Sequence, residues 1–212
     1  MSQALLMGGQ TFKNFELLFE GANGSTTFTE TFGKTVTPTG SVSISTAQFA
    51  DGTSSGLFAG GTADYLSTPT STDFDFGSGL FAIKTKIRPA TVTGVHMICT
   101  TRASAGSDPG FLFWQVDAGL RFICWGPTAS TAIVDFVVAS GLALNTWAAV
   151  EIRRVGSTFT LLINNVSVAT ASGAAAIVAS TNALNIGRDP STNTRGFNGY
   201  MDTFQIFKGG IF

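Results

Sequence analysis

Short apolar runs, each about as long as a β-strand and each closed by a turn-forming cluster, follow one another along all 212 residues of this chain. Helix-period stretches are almost absent, and no heptad run encodes a coiled-coil shaft. Strands are expected at Phe15–Glu20, Ser41–Ser45, Gly56–Ala59, Asp64–Ser67, Leu80–Arg88, Val95–Thr101 and Gly110–Val116. They continue at Leu120–Trp125, Ala132–Ala139, Trp147–Val155, Thr158–Ile163, Val166–Ala171, Leu184–Ile186 and Tyr200–Phe207. Clusters such as Ala22–Ser25, Ala103–Gly110 and Asp189–Asn198 separate them as turns. In Leu80–Arg88 the residues Phe81, Ile83, Thr85 and Ile87 share one face, and Ala82, Lys84, Lys86 and Arg88 share the other. Such a strand has one buried and one wet side. Asn164–Asn165, between two apolar runs, reads as a tight primed hairpin turn. With 25 Gly and 19 Phe against 3 Trp and 2 Tyr, the composition suits an all-β domain with many turns. No linker or fixed-period repeat divides it, so one domain is expected.

Charge narrows the function. Lys and Arg number 12, Asp and Glu 13, and charged residues make up 12% of the chain, about half the usual share. That balance lacks the electrostatic footprint of a nucleic-acid binder. The apolar content of 44% excludes disorder. No run reaches the length of a membrane helix, and Met1–Met7 is too short and uncharged for a secretory signal. A weakly charged surface fits either a component surrounded by neighbours or a neutral Ser/Thr-rich monomer.

Cys99 and Cys124 fall in runs separated by a third, Phe111–Val116. A meander would hold them about 9.6 Å apart, beyond disulfide reach, so two buried free thiols are expected. These suit assembly in a reducing compartment. Residues 1–14 precede the first strand. They read as a disordered terminus, or as an arm that docks on a neighbouring subunit through Leu5, Leu6 and Met7.

Five blocks occur in order: EGANGSTTFTETFGKTVTPTG from Glu20, FADGTSSGLFAGGTADYL from Phe49, FDFGSGLFAIKTKIRP from Phe74, NTWAAVEIRRVGSTFTLLINNVSVA from Asn145 and LNIGRDPSTNTRGFNGYMDTFQIFKG from Leu184. Together they resemble LamG-like jelly-roll domains of the concanavalin A-like group, most of all versions found in bacteriophage virion proteins. The resemblance runs from about Phe15 to Gly209. It implies a two-sheet antiparallel jelly-roll sandwich over 15–212, with the first and last strands paired. It does not fix function, because this sandwich serves lectins, glycosidases and structural modules alike.

Catalytic groups are scarce. Glycosidase relatives carry Glu-x-Asp-x-Glu on one strand, whereas Glu16-Leu17-Leu18-Phe19-Glu20 lacks the middle acid and lies in the first strand. His96 is the only histidine, and no G-x-S-x-G elbow accompanies it, so a satisfied strand histidine is expected. One His and two separated Cys make no zinc site. Many relatives bind calcium, for which Glu20, Asn23, Asp64 and Asp202 are the candidates. The competing reading of Asp202 is an acid accepting backbone hydrogen bonds at an enclosed strand start. Glycan binding points to the loop Arg188–Asn198, with Arg188, Asp189, Asn193 and Arg195, and to Trp125 as an aromatic platform. That loop equally fits a solvated turn. Trp114 and Trp147 are expected in the core.

The expectation is therefore a non-enzymatic structural component of a bacteriophage virion, assembled in the bacterial host cytoplasm, without nucleic acid, membrane or obligatory cofactor. The resemblance implies a capsid-decoration or head-surface protein, a homotrimer contacting major capsid or tail proteins. The alternative is a carbohydrate-binding adhesin of a tail or head fibre that recognises host-surface glycans.

Overall fold

The computed structural model describes residues 12–102, 109–126, 131–190 and 195–210. The expected docking arm, with Leu5, Leu6 and Met7, and the candidate Asn193 lie outside these residues.

Two antiparallel sheets make up the described chain, with no α-helix among the described residues. The eight-stranded sheet contains β1 (Lys13–Leu17), β3 (Ser43–Ser45), β4 (Ser55–Ala59), β6 (Phe81–Pro89), β11 (Ala148–Val155), β12 (Thr158–Ile163), β13 (Val166–Ser172) and β15 (Asn198–Lys208). The seven-stranded sheet contains β2 (Thr37–Thr39), β5 (Tyr65–Thr68), β7 (Val95–Thr100), β8 (Gly110–Val116), β9 (Gly119–Trp125), β10 (Ala132–Val138) and β14 (Leu184–Ile186). The first sheet runs β13-β12-β11-β6-β15-β4-β3, and the second runs β10-β9-β8-β7-β14-β5-β2. Strand β15 pairs with β6 along most of its length. Its other edge takes β4 at Asn198–Met201 and β1 at Phe204–Phe207, so the first and last strands pair as expected.

Period-two alternation packs the sandwich. Phe15, Phe58, Phe81, Phe111, Phe113, Phe122, Phe159, Phe197 and Phe204 are fully buried between the sheets. Phe76 stacks on Phe81 at 4.1 Å, while Phe15 meets Phe204 edge-on at 5.9 Å. Each buried ring contributes roughly 1.5–3 kcal/mol, and Phe does so without a polar atom to satisfy. Asn164 and Asn165, at φ 52° and 65°, form the expected primed turn between β12 and β13. Cys99 on β7 and Cys124 on β9 are buried and free, with β8 between them. Burial pushes the Cys99 thiol well up and the Cys124 thiol up to about 12.

The structure departs from expectation in four places. Strand β2 escaped notice because Thr37–Thr39 is short and contains Pro38; it is an edge strand paired only with β5, where a missing N–H costs nothing. Strand β1 begins at Lys13, two residues before the expected start of the sandwich, and ends at Leu17, after which Phe19 at φ 61° turns the chain. Trp147 lies just before β11, half-buried against Tyr200 rather than in the core. Trp114 is buried, but on the outer face of the seven-stranded sheet.

Candidate functional site

Alternation that sends Phe111, Phe113, Phe122 and Cys124 inward turns Leu112, Trp114, Arg121, Ile123 and Trp125 outward. On the outer face Met97, Leu112, Trp114, Ile123 and Trp125 form a second apolar cluster, separate from the core. Trp114 is only 5% exposed and Trp125 only 8%. The expectation that Trp125 offers an open platform is therefore corrected: the guanidinium of Arg102 covers its ring at 3.9 Å.

Arginines form the outer layer. Arg121 stands directly opposite Trp114 in register, 5.4 Å from the ring centre, and makes a two-pronged bond to Asp135 at 2.8 and 2.7 Å. Arg195 approaches the same ring at 4.8 Å and pairs with the fully buried Asp189 at 2.7 Å. Arg188 lies 4.5 Å from the Tyr65 ring. The loop Arg188–Asn198 thus brings Arg188, Asp189 and Arg195 to the face that Trp125 shares. Sequence reasoning missed Arg102, Arg121, Tyr65 and Trp114 as site residues; the register of β8 on β9 sets Arg121 beside Trp114, and only the order of strands reveals that both face outward. Trp114 Nε1 is buried and finds no acceptor, which costs about 1–3 kcal/mol.

The Arg195 turn is anchored through its backbone. Arg195, at φ 66°, accepts a bond from Met97 N at 2.8 Å. His96 sets Nδ1 2.9 Å from Gly196 O and Nε2 2.9 Å from Thr93 O; a neutral imidazole carries one N–H and donates to one of these two carbonyls, so the strand histidine has a partner.

The four calcium candidates do not gather, and among the described residues no three His, Cys, Asp or Glu side chains form a metal cluster. Each is occupied in holding a loop. Glu20 accepts from Thr53 N, Thr53 Oγ1 and Ser54 Oγ. Asp202 Oδ2 accepts from Ala50 N and Asp51 N, both at 2.9 Å, which matches its backbone-accepting alternative. Two acids from opposite ends of the chain therefore clamp the single loop between β3 and β4. Gly52, at φ 62°, permits this, because a Cβ there would stand 1.6 Å from Glu20 Oε1. Asp64 accepts from Ser41 N and Gly61 N, and Asn23 from Thr46 N. Glu16 and Glu20 do not form a catalytic pair. Glu16 bonds Lys13 and Gln205, and the turn at Phe19 directs Glu20 to a different partner set.

Two stacked antiparallel sheets in this strand order define a jelly-roll sandwich. The chain belongs to the concanavalin A-like lectin/glucanases superfamily, whose Laminin_G_3 model matches residues 60–210, more than half of its length. No curated protein sequence matches. Among solved structures, it is similar to the binding domain of Paraclostridial Mosquitocidal Protein 1, with TM-score 0.74 and 14% identity over 95% of this chain and 50% of that one. The binding domain of botulinum neurotoxin serotype G follows with TM-score 0.71 and 13% identity, over 93% and 48%. The chain thus spans about half the length of these toxin domains. Domain 4 of AbnA, a GH43 extracellular arabinanase from Geobacillus stearothermophilus solved in complex with arabinotriose, matches end to end. Its TM-score is 0.71 and its identity 10%, over 96% and 95%.

Proposed function

We propose that this protein is a non-catalytic glycan-binding module whose ligand lies on the outer face of the seven-stranded sheet. The observation that carries the reading is the guanidinium layer. Arg121 and Arg195 lie 5.4 and 4.8 Å from the Trp114 ring centre and are each fixed by a carboxylate, yet keep about a third of their side chains exposed. The N–H groups not used by those carboxylates are pre-organised to donate to sugar hydroxyl or carboxylate oxygens. Guanidinium donors beside an indole suit sugar hydroxyl and carboxylate oxygens, so acidic sugars, which offer both, are the ligands to test first. The likeness to a domain of an arabinanase solved in complex with arabinotriose supports a saccharide-binding role. Binding of the isolated protein to immobilised acidic and neutral oligosaccharides tests it, with Arg121→Ala as the variant that abolishes retention on the acidic ones.

A virion structural component is the second reading, favoured by the charged content of only 12%. It carries the trimer, the capsid or tail partners and the docking arm. It requires a fixed, symmetric copy number in purified particles, which deletion of residues 1–10 removes. The adhesin reading requires no such stoichiometry.

A further inference from the structure

The opposite face of the sandwich carries a groove that the arginine layer does not use. It has a volume of about 200 Å³ and lies across β6, β11 and β15, walled by Lys84, Lys86, Glu151, Asn165, Thr203 and Gln205.

A bulge in β15 creates it. Asp202 pairs with Lys86 and Gln205 with Lys84, so Thr203 and Phe204 together face Thr85. Thr203 sits at φ 49°, a left-handed conformation that costs a β-branched residue roughly 1–3 kcal/mol. Its hydroxyl donates to Asp51 Oδ2 at 2.9 Å, and the Asp202 clamp holds the neighbouring backbone. Bulges re-aim side chains, and strain of this kind gathers where a site is shaped.

Glu151 supplies an open acceptor. It is 7% exposed, and its Oε1 receives no hydrogen bond; Arg153 Nη1 stands 3.8 Å away, and Lys84 lies 3.3 Å from Oε2. Lys86 pairs with Asp51. Lys84 and Arg153 share Glu151 and Lys86 takes Asp51, so each of these cations already faces an acid. That pairing suits a neutral polyol better than a phosphate or carboxylate, which would need an uncompensated cation.

One strand step along the same face, β6 places Arg88 opposite Tyr200. The Tyr200 and Trp147 rings lie 6.5 Å apart, both half-buried. Arg88 lies 5.8 Å from the Tyr200 ring and donates to Asn145 Oδ1 at 3.2 Å. Amphipathic rings beside a polar groove offer a stacking surface for the next unit of a chain.

We propose that this groove is a second glycan site, holding a neutral pyranose unit through Glu151, Gln205 and Asn165, with Tyr200 and Trp147 stacking the adjoining unit. The two sites occupy opposite faces, so the module bridges two glycan chains. The groove stands independently of the arginine face, and its loss is distinguishable by position.

The test is an amide-resolved NMR titration of the full chain with cellotriose, maltotriose and xylotriose. At least one trisaccharide shifts the amides of Ala149–Glu151 and Thr203–Gln205 and the Trp147 indole. Glu151→Gln and Tyr200→Ala each weaken that binding about tenfold with the spectrum otherwise native, while Arg121→Ala leaves it unchanged. The proposal is overturned if none of the three perturbs this sheet at millimolar concentration, or if both groove variants bind as well as wild type. It is equally overturned if the groove variants change the oligomeric mass instead, which marks the face as a contact between copies.

Discussion

The guanidinium carbon of Arg102 lies 3.9 Å from the centre of the Trp125 ring. The indole is a buried floor, and the Arg102 side chain that covers it is itself buried. Trp125→Ala therefore removes packing before it removes recognition. It lowers stability by about 3–5 kcal/mol in urea unfolding. An unchanged midpoint would show that the ring stands free, as a platform does.

Glu20 and Asp202 spend their carboxylates on the loop between β3 and β4. Calcium at millimolar concentration is accordingly expected to leave Tm unchanged. A rise that scales with calcium concentration would mean that these acids exchange backbone donors for a metal.

Burial raises the Asp202 pKa, against the pull of the Asp51 and Ala50 amides. The folded state then keeps this proton to higher pH than the unfolded chain does. Stability falls as pH rises from the ordinary aspartate value through the raised one. Asp202→Asn offers an oxygen to both N–H donors without a charge. The variant is expected to be more stable than wild type at pH 7, with the advantage gone at pH 3. Lower stability at pH 7 would mean that the charge strengthens those bonds by more than burial costs.

Arg154 is fully buried, and among the described residues no carboxylate pairs with it. Its guanidinium instead donates to the carbonyls of Gly77, Gly156, Gly173 and Ala174, binding three loops beside the Phe159 ring. Arg154→Met leaves those carbonyls without their donor. A loss of at least about 3 kcal/mol in urea unfolding is expected. Unchanged stability would mean that water replaces the guanidinium.

Much of the sandwich was legible in side-chain parity. Phe81, Ile83 and Ile87 point inward as their spacing requires, and Asn164–Asn165 turns where two left-handed residues are tolerated. Parity alone does not say which of two faces is outer in a strand apolar on both. Trp114 therefore read as core, although it floors an external cluster. Trp147 was misplaced because its strand starts one residue later. The site was half legible. Arg188, Asp189 and Arg195 belong to one short sequence stretch, whereas Arg102 and Arg121 join them only through the β7-β8-β9 meander. Glu20 and Asp202 read as calcium candidates, with backbone acceptance the alternative for Asp202, but their chemistry depends on backbone donors that no side-chain pattern records.

The most direct test of the glycan-binding account is calorimetric titration of Arg121→Ala and Arg195→Lys with an acidic oligosaccharide that wild type retains. Arg121 and Asp135 are both well exposed, so Arg121→Ala costs at most about 1 kcal/mol of stability. Arg195→Lys keeps the charge beside Asp189 and loses the planar fork. Both variants are expected to fold and to bind at least about tenfold more weakly. Wild-type affinity in both, with the native fold retained, would contradict the account.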